Sequence, residues 1–84
     1  MDSKIVIKTK DNNDLDCNIL IKFKFDNDDY IVYTDNTYNN KGEFNLYRAM
    51  IKDDKLYDVI DADVIPVFEK LIKEYKVKVI RGEI

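Results

Sequence analysis

The stretch NILIKFKFDNDDYIVYT, residues 18–34, decides the fold. In its first half Ile19, Ile21, Phe23 and Phe25 share one parity, and Lys22 and Lys24 share the other. Side chains alternate faces along a strand, so the apolar four line one face and the lysines the opposite one, with Leu20 breaking the pattern on the lysine side. A helix would scatter the same four residues around its circumference. The run Asp26–Asp29 brings turn chemistry, because Asp and Asn side chains bond their own backbone and tolerate left-handed conformations. YIVYT, from Tyr30, is rich in the β-branched and aromatic residues that suit a pleated surface. The stretch predicts a β-hairpin.

Outward from the hairpin, Lys4–Lys10 alternates as a strand with Ile5 and Ile7 on one face, and Asp11–Asp14 is a turn. The second strand spans Leu15–Phe25 and the third Tyr30–Asp35. Asn36–Gly42 is a polar loop in which Gly42 takes the left-handed position. Glu43–Lys52 fits neither period well; LYRAMI suits a turn of helix on propensity. A strand is the better neighbour for flanking strands, and it puts Tyr47, Ala49 and Ile51 on one face. Lys52–Lys55 is the next turn and Leu56–Ile60 a fifth strand.

Asp63 is the expected N-cap of a helix with Pro66 in its first turn, where a missing N–H costs nothing. Val64, Phe68, Leu71, Ile72 and Tyr75 form a continuous apolar stripe, and Glu69 precedes Lys73 by four on the other side. From Lys76 to Ile84 the chain alternates again, with Val77 and Val79 on one face. This tail reads as a sixth strand, on this sheet or on that of a second copy, or as a frayed terminus. The fold class is α+β: an antiparallel meander of about five strands with one C-terminal amphipathic helix packed on one face. The expected core is Ile5, Ile7, Ile19, Ile21, Phe23, Phe25, Phe68, Leu71 and Ile72. One helix covers one face, which leaves the opposite face or an edge as the contact surface.

Residues 1–84 read as one domain, and a chain of this length buries roughly 60–65% of its unfolded surface. An apolar fraction of 45%, with four Phe and six Tyr, marks a globular domain despite 37% charged residues. The net charge of −3 argues against generic nucleic-acid binding, which needs clustered Lys and Arg, and offers no basic patch to an anionic membrane. No run approaches the ~18 apolar residues of a membrane span. Cys17 is the lone cysteine, so no internal disulfide forms, and without histidine its thiol lacks the usual base; it reads as a small apolar residue. The N-terminus lacks the features of a signal peptide, and the expected location is the reducing cytoplasm. Lysine far outnumbers arginine, and Ile and Asn are abundant, as in an A/T-rich genome.

Three acidic groups, Asp11/Asp14/Asp16, Asp26/Asp28/Asp29 and Asp53/Asp54, fail as calcium loops. The ligand offsets, the central glycine and the terminal Glu are missing; counting from Asp26, position six is Ile31 and position twelve Thr37. They read as solvated turn residues, which water keeps ionised and unsuited to acid–base catalysis. With Gly42 and Gly82 the only glycines, no phosphate-cradling loop can be built, and zinc finds no ligand set. No enzyme activity, metal or cofactor is expected. The tyrosines are the suggestive feature, since exposed tyrosine is favoured at interfaces. Tyr30 and Tyr33 lie on opposite faces of one strand, Tyr38 is in the loop and Tyr47 on a later strand. Together with Val77 and Val79 they are the candidate interaction surface. An alternative is a nucleic-acid accessory in which Lys4, Lys8, Lys22 and Lys24 form a basic stripe beside tyrosines that stack on bases.

FKFDNDDYIVYTDNT, followed by LYRAMIKDDKLYDVID and an amphipathic helix, resembles the YrzB-like family of small uncharacterised bacterial proteins. The likeness covers Ile5 to Tyr75 and is strongest at Asp29–Thr37. It implies a cytosolic bacterial protein with no assigned activity, and it carries over no functional residues. Val64-Ile65-Pro66 stands where the family has an acidic, Trp-containing helix start, and the KVKVIRGEI tail runs past the family's usual end. The expected function is a non-catalytic protein-interaction module whose partner is another protein or itself, as a homodimer.

Overall fold

A computed structural model describes residues 4–8, 11–53 and 55–82. Five antiparallel strands follow one another across a single sheet in chain order: β1 (Lys4–Lys8), β2 (Asp14–Phe25), β3 (Asp28–Thr34), β4 (Tyr47–Lys52) and β5 (Lys55–Tyr57). A 3₁₀ turn (Ala62–Val64) leads into α1 (Ile65–Ile80), the one α-helix among the described residues. The α+β meander with a C-terminal helix is therefore the fold. The expected ends of β1 at Thr9 and Lys10, and of the tail at Glu83 and Ile84, lie outside the described residues.

The hairpin at the centre closes through Asp26 and Asn27, between the pair Phe25 and Asp28. Both turn residues have positive φ, 52° and 68°. That is the conformation whose twist matches right-handed strands, and Asp and Asn are the non-glycine residues that adopt it most readily.

One extra residue in β2 changes which side chains share a face. Ile19 pairs with Tyr33 and Ile21 with Val32, so Leu20 is the inserted residue of a β-bulge. Ile21, Phe23 and Phe25 stand with Val32 and Tyr30 on the helix side, whereas Ile19 and Cys17 fall on the other. The expected single face of Ile19, Ile21, Phe23 and Phe25 is split, because an inserted residue reverses the alternation beyond it.

The helix-side core is Tyr30, Val32, Val64 and Phe68, with Ile21, Phe23, Phe25, Leu46, Met50, Val59, Val67 and Ile72 packed around it. Phe68 presents its ring edge-on to Phe23 (5.0 Å between centroids) and Tyr30 (5.7 Å), and the Arg48 guanidinium sits 5.8 Å from its ring centre. Such perpendicular ring pairs are the favoured aromatic geometry.

The opposite face is not the bare surface expected of a one-helix sheet. Cys17, Ile31 and Ala49 are buried there. Ile5 and Ile7 of β1 line the same small cavity, about 260 Å³, as Ile51 and Leu56 of β4 and β5. The sheet curls, as twist and a bulge promote, until apolar side chains of its first and last strands line one cavity across this face.

The C-terminal tail is also corrected: Lys76–Ile80 is the end of α1, not a sixth strand. Val79 extends the stripe Phe68–Ile72–Tyr75 by one helical step, and Gly82, at φ 73°, closes the helix with its N–H on the Val79 carbonyl at 3.1 Å. At the other end Asp63 is not the N-cap of α1: that position is Val64, which makes no side-chain cap bond, and the capping carboxylate is Asp61, which accepts the Asp63 N–H at 2.9 Å and opens the preceding 3₁₀ turn. Pro66 lies in the first turn of α1, as expected. The fourth and fifth strands are shorter than expected, Tyr47–Lys52 and Lys55–Tyr57, because residues 43–46 and 58–60 serve the connections.

Candidate functional site

The six residues of the candidate surface do not form one patch. Tyr30 is only 3% exposed and belongs to the core; it is removed from the candidates because Phe23 stacks on it and Phe68 abuts it. Tyr33 is half-buried on the curled face, stacked on Tyr47 at 5.4 Å. Tyr47 is more open, and its hydroxyl donates to the Asp35 carboxylate at 3.1 Å. Tyr38 and Val79, far apart in sequence, are brought to opposite walls of one groove, while Val77 lies on the adjoining flank of α1.

That groove is built by the loop between β3 and β4. Asp35 anchors the loop, accepting the Thr37 N–H at 3.1 Å and the Thr37 hydroxyl at 2.5 Å. The Thr37 carbonyl then accepts the Asn45 N–H at 2.9 Å, and the Asn39 N–H reaches the Glu43 carbonyl at 2.8 Å. Asn39 fastens the tip: its side-chain oxygen accepts from the backbone N–H groups of Lys41 (2.8 Å) and Glu43 (3.1 Å). Gly42 turns the chain at φ 77°, in the left-handed position expected of it. The product is a miniature hairpin that holds the rings of Tyr38 and Phe44 stacked at 4.7 Å, with Tyr38 61% exposed.

Facing this ring pair are Tyr75, Lys76, Val79 and Ile80 of α1, with Leu46 between the two walls. The groove encloses about 490 Å³ and is apolar apart from Glu43 on the loop lip and Lys76 on the helix lip. It contains no nucleophile, no histidine and no converging carboxylates, so its chemistry is to bury apolar side chains. Loop hydrogen bonds fix one wall in advance, which lowers the ordering cost of binding.

The titratable groups nearby are structural. Hydrogen bonds from the Thr37 side chain, and then from its backbone and Tyr47, hold the Asp35 carboxyl below its ordinary value. Burial pushes the Tyr47 hydroxyl up, with the Asp35 hydrogen bond adding to it. Burial likewise raises the Cys17 thiol and the Tyr30 hydroxyl. A raised thiol on a buried side chain is inert, consistent with Cys17 as a core residue.

Lysines on the sheet are interleaved with acids. Lys24 stands directly opposite Asp29 in the ladder, and Lys22 shares a surface depression with Asp28, Asp29 and Asp53. Among the described residues no three acids or thiols are grouped to hold a metal ion, and no helix is long and apolar enough to cross a membrane.

Phe44, Leu46, Tyr75 and Ile80 were not legible as site residues from the sequence. Phe44 and Leu46 lie in a segment of mixed period, and Tyr75 counts as ordinary helix stripe. The one available signal was the Arg81-Gly82 pair, a basic last turn followed by a helix-ending glycine, which places Val79 and Ile80 on a helix. No family model, curated protein or solved structure matches the chain, so the site rests on its own geometry.

Proposed function

We propose that this chain is a non-catalytic protein-interaction module whose contact surface is the groove between the 37–45 loop and the end of α1. The observation that carries it is the exposure of apolar side chains around a pre-fastened cleft: Tyr38 and Phe44 on one wall, Val79 and Ile80 on the other. Residues 76–80 are all exposed, so the last helical turns are left for another molecule to cover. A reducing cytosolic setting belongs to the same proposal and is supported by the free, buried Cys17.

Site-specific photo-crosslinking in the native cytosol tests it. A benzophenone side chain replacing Phe44 is expected to give a discrete protein adduct, and the same group replacing Lys24, on the exposed sheet, is not. Absence of any adduct at position 44 refutes the module. Adduct mass separates a second copy of the chain from a different protein.

A further inference from the structure

Resting on that interaction surface, we propose that the occupant of the groove is a second copy of this chain, paired about a twofold axis so that each helix end fills the other's groove.

Two observations select this occupant. Ile80 is 84% exposed although it stands at the edge of an apolar groove, so none of the described residues buries it. The same helix end therefore offers both an apolar knob and a cleft, which is the requirement for a self-complementary interface. Second, Glu43 and Lys76 occupy opposite lips of the groove and make no ion pair among the described residues. A twofold operation brings Glu43 of one copy to Lys76 of the other, twice over.

In the pair the helix ends cross antiparallel. Ile80 and Val79 enter between Tyr38 and Phe44 on one side and Tyr75 on the other, and Val77 extends the apolar contact along the adjoining flank. Glu43 and Lys76 lie at the rim and set register; the apolar centre supplies affinity.

Sedimentation velocity of the purified full chain tests the pairing, with circular dichroism confirming that each variant is folded. The wild type is expected to sediment as a dimer at about 100 µM, within the range of modest interfaces of this kind. Glu43→Lys and Lys76→Glu are each expected to weaken the dimer by about tenfold, and the double reversal to recover most of that loss, as coupled charges do. Ile80→Asp, at an exposed position that does not burden folding, is expected to give a monomer. A monomeric wild type overturns the pairing, as does a dimer untouched by Ile80→Asp or a double reversal no better than the singles. A monomer whose position-44 crosslink captures a different protein overturns only the choice of occupant. A monomer without any crosslink brings down the module as well.

Discussion

Replacing Phe68 by alanine probes the joint between helix and sheet. Phe68 is fully buried and touches Phe23 and Tyr30 edge-to-face, with Arg48 over its ring. Truncating a buried phenylalanine costs about 3–5 kcal/mol through lost transfer energy and the cavity left behind. Within that figure each perpendicular ring pair contributes about 0.5–1.5 kcal/mol, and the Arg48 contact about 0.5–1 kcal/mol. A domain of this length has a total stability of roughly 4–13 kcal/mol, so Phe68→Ala removes about a quarter to all of it. Phe68→Leu keeps most of the volume but loses the ring contacts, and is expected to cost about 1.5–4 kcal/mol. Urea titration read by far-ultraviolet circular dichroism and by tyrosine fluorescence measures both losses, the chain having no tryptophan to complicate the second signal. The two signals should shift together, because Tyr30 of the sheet and Phe68 of the helix share one core. A loss below about 1 kcal/mol for the alanine variant, or separated helix and tyrosine transitions, would show that α1 does not pack on the sheet as described.

At the central turn, Asn27→Gly is expected to leave stability unchanged or raise it by about 0.5 kcal/mol, and Asn27→Ala to lower it by about 1 kcal/mol, since φ is 68° there. Equal thermal midpoints for the two variants would contradict the turn geometry. Asp35 has a folded-state pKa below its unfolded one, so its contribution is complete above the unfolded value, about 3.9, and is lost as pH falls through the folded value. Thermal midpoints of the wild type should therefore drop more steeply below about pH 4 than those of Asp35→Asn, and parallel curves would refute the anchoring role. Cys17, 1% exposed, should react with a disulfide-exchange reagent at least about a thousandfold more slowly in the native protein than in urea. Labelling at comparable rates would show that the curled face is open.

Much of the architecture could be read without coordinates. The two periods, alternating in residues 18–25 and helical in 64–75, place strands and helix because each pattern has only one secondary structure that gathers its apolar residues on a side. Asp26-Asn27 and Gly42 were legible for a similar reason: few residue types enter the left-handed region cheaply, so their positions mark turns. The tail was misread where two periods overlap. Val77 and Val79 alternate as strand residues do, yet Val79 also completes the stripe through Phe68, Ile72 and Tyr75. The helix costs roughly 0.5 kcal/mol for each valine, a small loss against the backbone hydrogen bonds gained by carrying α1 on to its stop at Gly82.

The order of the sheet, the hairpin at its centre and the identity of the covering helix follow from local chemistry alone, since period, turn preference and capping act over a few residues. The faces and the groove do not. A single inserted residue at Leu20 moved Ile19 and Cys17 to the far side, and curling of the sheet then buried that side without a second helix. Tyr38 and Val79 meet only because a loop fastened by Asp35 and Asn39 reaches toward the end of α1. Register, curvature and the meeting of distant segments depend on pairings between parts of the chain far apart in sequence, and no local pattern carries that information.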